Sequence, residues 1–180
     1  MKKILAILAL AMAGTAFADS VSFEYQNIDN KVGTNQDTLS VSVKHNFTKS
    51  VTGDVLFSDT KAGNNGALSN RIEVGLSATA PLGLVTGYTR VALGEKIGNS
   101  SMATYYSIEP GITAPVGPFT ARLGYRWRSA VDSVNNDQTH TVRAGLSYPL
   151  TKIDAIGVRY DRVRGDSTQN IVAMNYTRTF

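Results

Sequence analysis

The chain has 180 residues, a formal net charge of +4 and no cysteine. This length suits a single domain, the missing cysteine excludes disulfide, iron–sulfur and thiolate chemistry, and so small a net charge gives no case for nucleic-acid binding. Beyond its first residues, no stretch approaches the roughly 18 consecutive apolar residues of a membrane helix. If the chain enters a membrane, it must do so as β-strands.

The chain begins with a pattern typical of a secretory signal peptide. Lys2 and Lys3 precede the apolar run 4–12, and Ala16 and Ala18 supply the small residues of a cleavage site. The apolar run is too short to span a bilayer. We therefore expect residues 1–18 to be cleaved and residues 19–180 to form the mature domain.

Ten later stretches alternate between apolar and polar residues, which is the pattern of a strand with two different faces. Each is close to the roughly 9–11 residues that a tilted membrane strand needs. The predicted strands are 20–28, 37–47, 51–60, 69–80, 84–94, 102–114, 119–130, 139–149, 154–163 and 170–180.

The connections between these strands alternate in length. Those after even-numbered strands are tight, as at 81–83 and 115–118, whereas those after odd-numbered strands are longer and polar. Outer-membrane barrels have short periplasmic turns and longer outer loops. The rhythm therefore predicts an all-β fold, a transmembrane antiparallel up-and-down β-barrel of ten strands, with eight or twelve as alternatives and both termini periplasmic.

Aromatic residues on the apolar face fall at two levels. The lower level, next to the short turns, contains Phe47, Phe119, Tyr148 and Phe180, and the upper level contains Tyr25, Phe57, Tyr106, Trp127 and Tyr160. Aromatic rings at both bilayer interfaces are typical of membrane barrels. This favours lipid on the apolar side and a polar lumen.

The lumen-facing side of the predicted strands is rich in charge. It contains eight basic and five acidic residues, an excess of three positive charges: Lys44, Arg71, Arg90, Arg122, Arg126, Arg128, Arg143 and Arg159 against Glu24, Asp54, Glu73, Glu109 and Asp161. Two interpretations stay open. The arginines form a basic lining that selects anionic solutes, or they form ion-pair networks that fill and close the barrel.

Closing the tight turns so that like faces meet predicts which lumen residues are opposite each other. The predicted pairs are Gly75–Arg90, Gly111–Arg122, Glu109–Gly124, Gly145–Arg159 and Arg143–Asp161. A glycine opposite a long side chain leaves a niche in which that side chain can lie against the wall. The pattern favours an ordered, partly filled interior.

The connection 131–138 gives a different neighbourhood. Its register sets Arg126 opposite Arg143, and directly opposed like charges are destabilising unless something screens them. We expect a weakly anion-favouring constriction at Arg126, Arg128 and Arg143; a structural network completed by Glu24 or Glu109 is equally open. The full predicted pore-lining set is Arg126, Arg128, Arg143, Arg159, Arg122, Arg90, Glu109 and Asp161.

Catalysis has little support in the sequence. A nucleophile needs a base within hydrogen-bond reach, and the two histidines, His45 and His140, fall at opposite ends of the apolar face. Nor does the sequence contain a metal-ligand cluster or a phosphate-binding loop. We expect a protein that is not an enzyme and that has no cofactor.

The last strand ends at an aromatic residue. Val172, Met174 and Tyr176 alternate with polar or small residues up to Phe180, and a barrel gives such a strand a partner by pairing it with the first. This ending, with the leader and the strand rhythm, resembles the small outer-membrane β-barrels of Gram-negative bacteria. The resemblance implies integral location in the cell outer membrane, contact with its lipids and lipopolysaccharide, and Phe180 as a signal for the barrel assembly machinery.

Two further stretches, Tyr106-Ser-Ile-Glu-Pro-Gly111 and Ala121-Arg-Leu-Gly-Tyr-Arg-Trp-Arg128, resemble oligogalacturonate-specific porins, which have arginine-lined lumens. Ten strands lie nearer to filled eight-stranded barrels than to open sixteen-stranded ones. We therefore expect a narrow passive channel for small, preferentially anionic solutes. The alternative is a non-conducting barrel with a structural or surface-interaction role.

Overall fold

The computed structural model describes residues 18–31, 33–62, 67–98, 102–131 and 138–180. The expected leader therefore lies almost entirely outside the described residues. The strands are β1 (Ser20–Asn30), β2 (Gln36–Asn46), β3 (Val51–Ala62), β4 (Ala67–Leu82), β5 (Val85–Ile97), β6 (Met102–Val116), β7 (Phe119–Ala130), β8 (Thr139–Pro149), β9 (Asp154–Gly165) and β10 (Gln169–Thr179). They match the ten predicted strands, several being longer, and β5 continues to Ile97.

These strands form a closed antiparallel barrel in which each pairs with its neighbours in the chain. The ring closes where β1 pairs with β10, with Phe23 opposite Tyr176. Closure leaves no open sheet edge. The ten-stranded up-and-down barrel is thus confirmed, and the alternatives of eight and twelve strands are excluded. None of the described residues forms a helix long and apolar enough to cross a membrane.

The short turns are of two kinds. Gly83 (φ 72°) and Gly117 (φ 59°) lie in two-residue turns whose left-handed backbone suits glycine. The other two turns contain Thr48 and Thr151, and each threonine Oγ1 accepts hydrogen bonds from the backbone amides two and three residues later, at 3.2 and 3.0 Å. All four short connections are therefore held by local chemistry.

The outer face of the barrel is apolar and exposed. Large apolar side chains cover it on every strand pair, among them Leu39, Val74, Leu93, Leu123 and Met174. Aromatic pairs lie at both predicted levels: Tyr106 packs edge-on against Trp127 at 5.2 Å, and Phe119 against Tyr148 at 5.5 Å. An apolar band bordered by aromatic rings is the surface that a bilayer covers.

The predicted register is confirmed between β8 and β9, where Gly145 is opposite Arg159 and Arg143 opposite Asp161. It is wrong elsewhere. Arg90 lies opposite Ser77 instead of Gly75.

Two further pairings are wrong in the same way. Arg122 lies opposite Thr113, and Gly124 opposite Gly111 instead of Glu109. At both of these short connections the turn lies one residue further along the chain than expected, and this moves every opposed pair by two residues.

Candidate functional site

The inward faces of four strands bring together a first chain of alternating guanidinium and carboxylate groups. Arg90 on β5 binds Asp54 on β3 through Nε–Oδ1 and Nη2–Oδ2 contacts of 2.9 and 2.5 Å. Its Nη1 also contacts Glu73 on β4 at 2.6 Å. Glu73 in turn accepts a hydrogen bond from Nη2 of Arg126 on β7 at 2.7 Å. This first charge chain spans one side of the lumen.

A second charge chain continues around the other side, in the order Arg122, Glu109, Arg143, Asp161, Arg159 and Glu24. Glu109 contacts Arg122 at 2.9 Å and Arg143 at 2.6 Å. Asp161 contacts Arg143 at 3.4 Å and Arg159 at 2.9 Å. Arg159 also reaches Glu24 on β1 at 2.7 Å. Together the two charge chains contain five arginines and five carboxylates, so their formal charges cancel.

The central carboxylates of these chains are deeply buried. Glu73 is 2% exposed, and Glu109 and Asp161 are each 1% exposed. A buried carboxylate is tolerated only when it is paired and hydrogen-bonded. Each of the three contacts two guanidinium groups, so the arrangement is a filled and ordered interior layer.

Tyrosines complete the layer, and the sequence reasoning missed them. The Tyr105 hydroxyl donates to Glu73 at 2.7 Å, and the Tyr88 hydroxyl donates to Glu109 at 3.1 Å. Arg122 Nε donates to the Tyr88 hydroxyl at 2.8 Å, and its guanidinium lies 4.0 Å from the centre of that ring. Both tyrosines have the inward parity of their strands, which was the available signal.

Glycines make room for these side chains, as predicted, but with partly different occupants. A Cβ atom at Gly75 would lie 2.5 Å from Arg90 Nη2 and 2.7 Å from Asp54 Oδ1. At Gly94 and Gly111 it would meet the ring and hydroxyl of Tyr105 and Tyr88, respectively. The niches thus hold tyrosine as well as arginine.

A cavity of about 560 Å³ lies below the charged layer, on the short-turn side. We call it the vestibule. Its wall below the charged layer is formed mainly by hydroxyl and amide side chains: Ser20, Ser22, Ser42, Asn46, Thr52, Thr79, Thr120, Ser147 and Thr177. Such a wall is wetted easily and hydrogen-bonds polar solutes.

The loop side of the lumen is different. Its inward side chains are buried, and each of these is less than a tenth exposed: Gln26, Ile28, Thr38, Ser58, Tyr105, Thr139, Thr141 and Val163. The described part of the lumen therefore has an open lower half and a filled upper half.

The predicted pore-lining residues are all on the inner face. Six of them line the vestibule: Arg90, Glu109, Arg122, Arg126, Arg143 and Arg159. Asp161 is buried behind them, and Arg128 lies on the loop side, its guanidinium 5.2 Å from the centre of the Tyr105 ring. That they constrict the passage of a solute stays a prediction.

The expected opposition of Arg126 and Arg143 is wrong. Arg126 lies opposite Thr141, and Arg143 opposite Gly124, because the connection between β7 and β8 closes with a register two residues away from the expected one. The structural network left open by the sequence is present. Glu109 and Glu24 complete it, and Glu73 takes part as well.

The positive excess lies outside the two charge chains. Among the described residues, Lys44 and Arg71 are inward-facing cations that make no ion pair. Asp54 is the cross-strand neighbour of Lys44, but its carboxylate is held by Arg90.

The histidines lie on the outer face, near opposite ends of the barrel. His45 contacts Asp19 at 3.2 Å, and His140 Nδ1 contacts the Tyr125 hydroxyl at 2.7 Å. No group of three metal-ligating side chains occurs within the described ranges.

Comparison with known proteins indicates the same class of barrel. The model of the Gram-negative porin family matches residues 6–168. The chain belongs to this family. Membership indicates an outer-membrane barrel channel. None of the curated proteins is similar enough in sequence to count as a match.

Solved structures with the same fold include three outer-membrane barrels of low sequence identity. They are the KdgM porin in complex with disordered oligogalacturonate (14% identity, 89% of this chain and 99% of that one, TM-score 0.52), an outer-membrane channel from Pseudomonas putida F1 (11%, 89% and 94%, 0.54) and the β domain of the Bordetella autotransporter BrkA (10%, 91% and 99%, 0.57). At these identities the likeness supports the fold alone.

Proposed function

We propose that this porin is a narrow passive channel for small, preferentially anionic solutes. The observation that carries the proposal is the vestibule of about 560 Å³, which has a hydroxyl-rich wall and reaches the last inward residues on the short-turn side. A solute of a few non-hydrogen atoms fits such a space without losing hydrogen bonds to its surroundings.

The preference for anions follows from the charge count of the lumen. Ten of its charged groups cancel in the two charge chains, while Lys44 and Arg71 keep their charge without an ion pair among the described residues. A lumen with a positive excess and low-dielectric walls concentrates anions and repels cations.

The charged layer is the narrowest part of the proposed path. Arg126, Arg143 and Glu109 line the lumen at this level, and we expect a solute to pass only when such side chains move. Ten-stranded barrels are close to those that side chains fill completely. We therefore expect a low conductance, with small solutes passing one at a time.

A second candidate function is a non-conducting barrel with a structural or surface-interaction role. The buried side chains on the loop side favour it, since Thr38, Ser58 and Tyr105 are each at most 2% exposed.

Conductance of the purified barrel in planar bilayers separates the two candidates. A channel should give steady steps, a reversal potential on the anion side in a salt gradient, and a changed step size in Arg126→Gln. Arg178→Gln, which alters a half-exposed arginine that pairs with Asp154 outside the charged layer, is the matched control. A correctly folded but electrically silent barrel would leave only the structural role.

The same proposal includes orientation and partners. The short turns and both termini face the periplasm, the apolar exterior contacts outer-membrane lipids and lipopolysaccharide, and the barrel assembly machinery reads Phe180. Treatment of whole cells with a protease that cleaves only exposed loops tests the orientation, because periplasmic turns should be protected.

A further inference from the structure

Two cations reach into the vestibule from opposite walls. Lys44 is on β2 and Arg122 is on β7, and these strands are five places apart in both directions around the ring. Both side chains line the vestibule. The two like charges therefore face each other across the lumen.

Neither cation is fully neutralised by the protein. Lys44 makes no ion pair with a described residue, because Asp54 beside it is bound twice by Arg90. Arg122 shares Glu109 with Arg143.

The Arg122 side chain is also the most accessible in the two charge chains. It is 43% exposed, whereas the other four arginines are at most 21% exposed. Its Nε and Nη2 already donate to Tyr88 and Glu109, so its other donors stay available to a solute.

Like charges that face each other in a partly desolvated space repel unless an anion screens them. The surrounding wall offers further donors: Ser20 is the cross-strand neighbour of Lys44, and Ser42 lies two residues away on the same face. An anion between the two cations would accept hydrogen bonds from ammonium, guanidinium and hydroxyl groups together. The Arg126 and Arg143 side chains are far less exposed than that of Arg122 and are less accessible to such an anion.

We propose that Lys44 and Arg122 form a binding site for a small inorganic anion in the vestibule, and that this site sets the anion preference of the channel. The other arginines of the charged layer then narrow the path without selecting for charge. The claim that this site sets the anion preference rests on the proposed channel function. The claim that the site binds an anion does not.

Chloride binding to the folded barrel in uncharged detergent tests the site directly. The excess ³⁵Cl line width that the protein produces should be largely lost in Lys44→Gln, because a unit charge about 4 Å away in water changes anion occupancy about fivefold. Lys44→Arg should restore it, and Lys49→Gln, in a tight turn at the same end of the barrel, should leave it unchanged. If Lys44→Gln does not fold, Lys44→Ser is measured instead. Unchanged line width in the Lys44 variant would overturn the site.

Reversal potentials in a potassium chloride gradient test the selectivity. The anion-to-cation permeability ratio should fall about fivefold in Lys44→Gln and stay within twofold of the original in Lys49→Gln. A silent barrel that still binds chloride at Lys44 refutes the channel function and keeps the site. A Lys44→Gln barrel that conducts with the original selectivity overturns the claim that this site sets the anion preference.

Discussion

Replacing Glu73 by glutamine removes one charge from the centre of the first charge chain. Glu73 contacts both Arg90 and Arg126 and accepts a hydrogen bond from the Tyr105 hydroxyl. Arg90 keeps Asp54 as a partner. Arg126 is 6% exposed and has no other ion pair among the described residues, so the substitution leaves a buried guanidinium without compensation.

The expected cost follows from that uncompensated charge. Removing one partner of a buried ion pair costs about 3–5 kcal/mol, and we expect Glu73→Gln to destabilise the barrel by about this amount. Unfolding by urea from lipid vesicles measures it, with the fluorescence of Trp127, the one tryptophan in the chain, as the signal. With a slope of about 1–3 kcal/mol per molar urea, the midpoint should fall by at least about 1 M.

Two further variants test whether the loss of a buried ion pair causes the destabilisation. Glu95→Gln changes the same chemical group on the outer face of β5, where Glu95 makes no ion pair with a described residue, and it should cost less than about 1 kcal/mol. Adding Arg126→Met to Glu73→Gln removes the stranded cation and should recover part of the loss. Equal midpoints for Glu73→Gln and Glu95→Gln would refute the buried ion pair as a source of stability.

Two other substitutions test the glycine niches and the assembly signal. Gly75→Ala should destabilise the barrel by about 1–3 kcal/mol, because the new Cβ would lie 2.5 Å from Arg90 Nη2. Gly145→Ala should lower the free energy of unfolding clearly less, because the nearest atom to its new Cβ would be 3.2 Å away. Equal urea midpoints for the two variants would contradict this account. Deleting Phe180 should lower the amount of folded barrel in outer-membrane fractions several-fold. The single-channel conductance of the barrels that do insert should be unchanged. A normal amount of folded barrel would show that Phe180 is not the assembly signal.

Strand number and facing were predictable from the sequence because both depend on local pattern. Alternation over ten residues leaves little choice of face, since a slip by one residue would turn every apolar side chain inward. The polar sides of β3, β4 and β7 were therefore assigned correctly, and Asp54, Glu73 and Arg126 all lie in the lumen.

The cross-strand partners of the charged residues, and their ion pairs across the lumen, were not predictable in the same way. Turns that lie one residue from the expected place moved the partners of Arg90 and Arg122 by two residues. Contacts between distant strands, such as Arg126 on β7 with Glu73 on β4, depend on the diameter and tilt of the barrel, and period-2 patterns contain neither. The tyrosine hydroxyls were missed because a single aromatic residue on a polar face has no periodic signal.

The charged layer also has a structural consequence for a barrel that is apolar outside. If its lumen were apolar too, the strands would lose the difference between their faces, and a one-residue slip would cost little. Buried ion pairs are weak evidence for stability, but they can enforce one arrangement, because a misplaced partner leaves a charge unpaired. Glu73, Glu109 and Asp161 each require two guanidinium groups from other positions. We therefore expect the charge chains to determine strand register, while the cations outside them, above all Lys44, remain available to solutes.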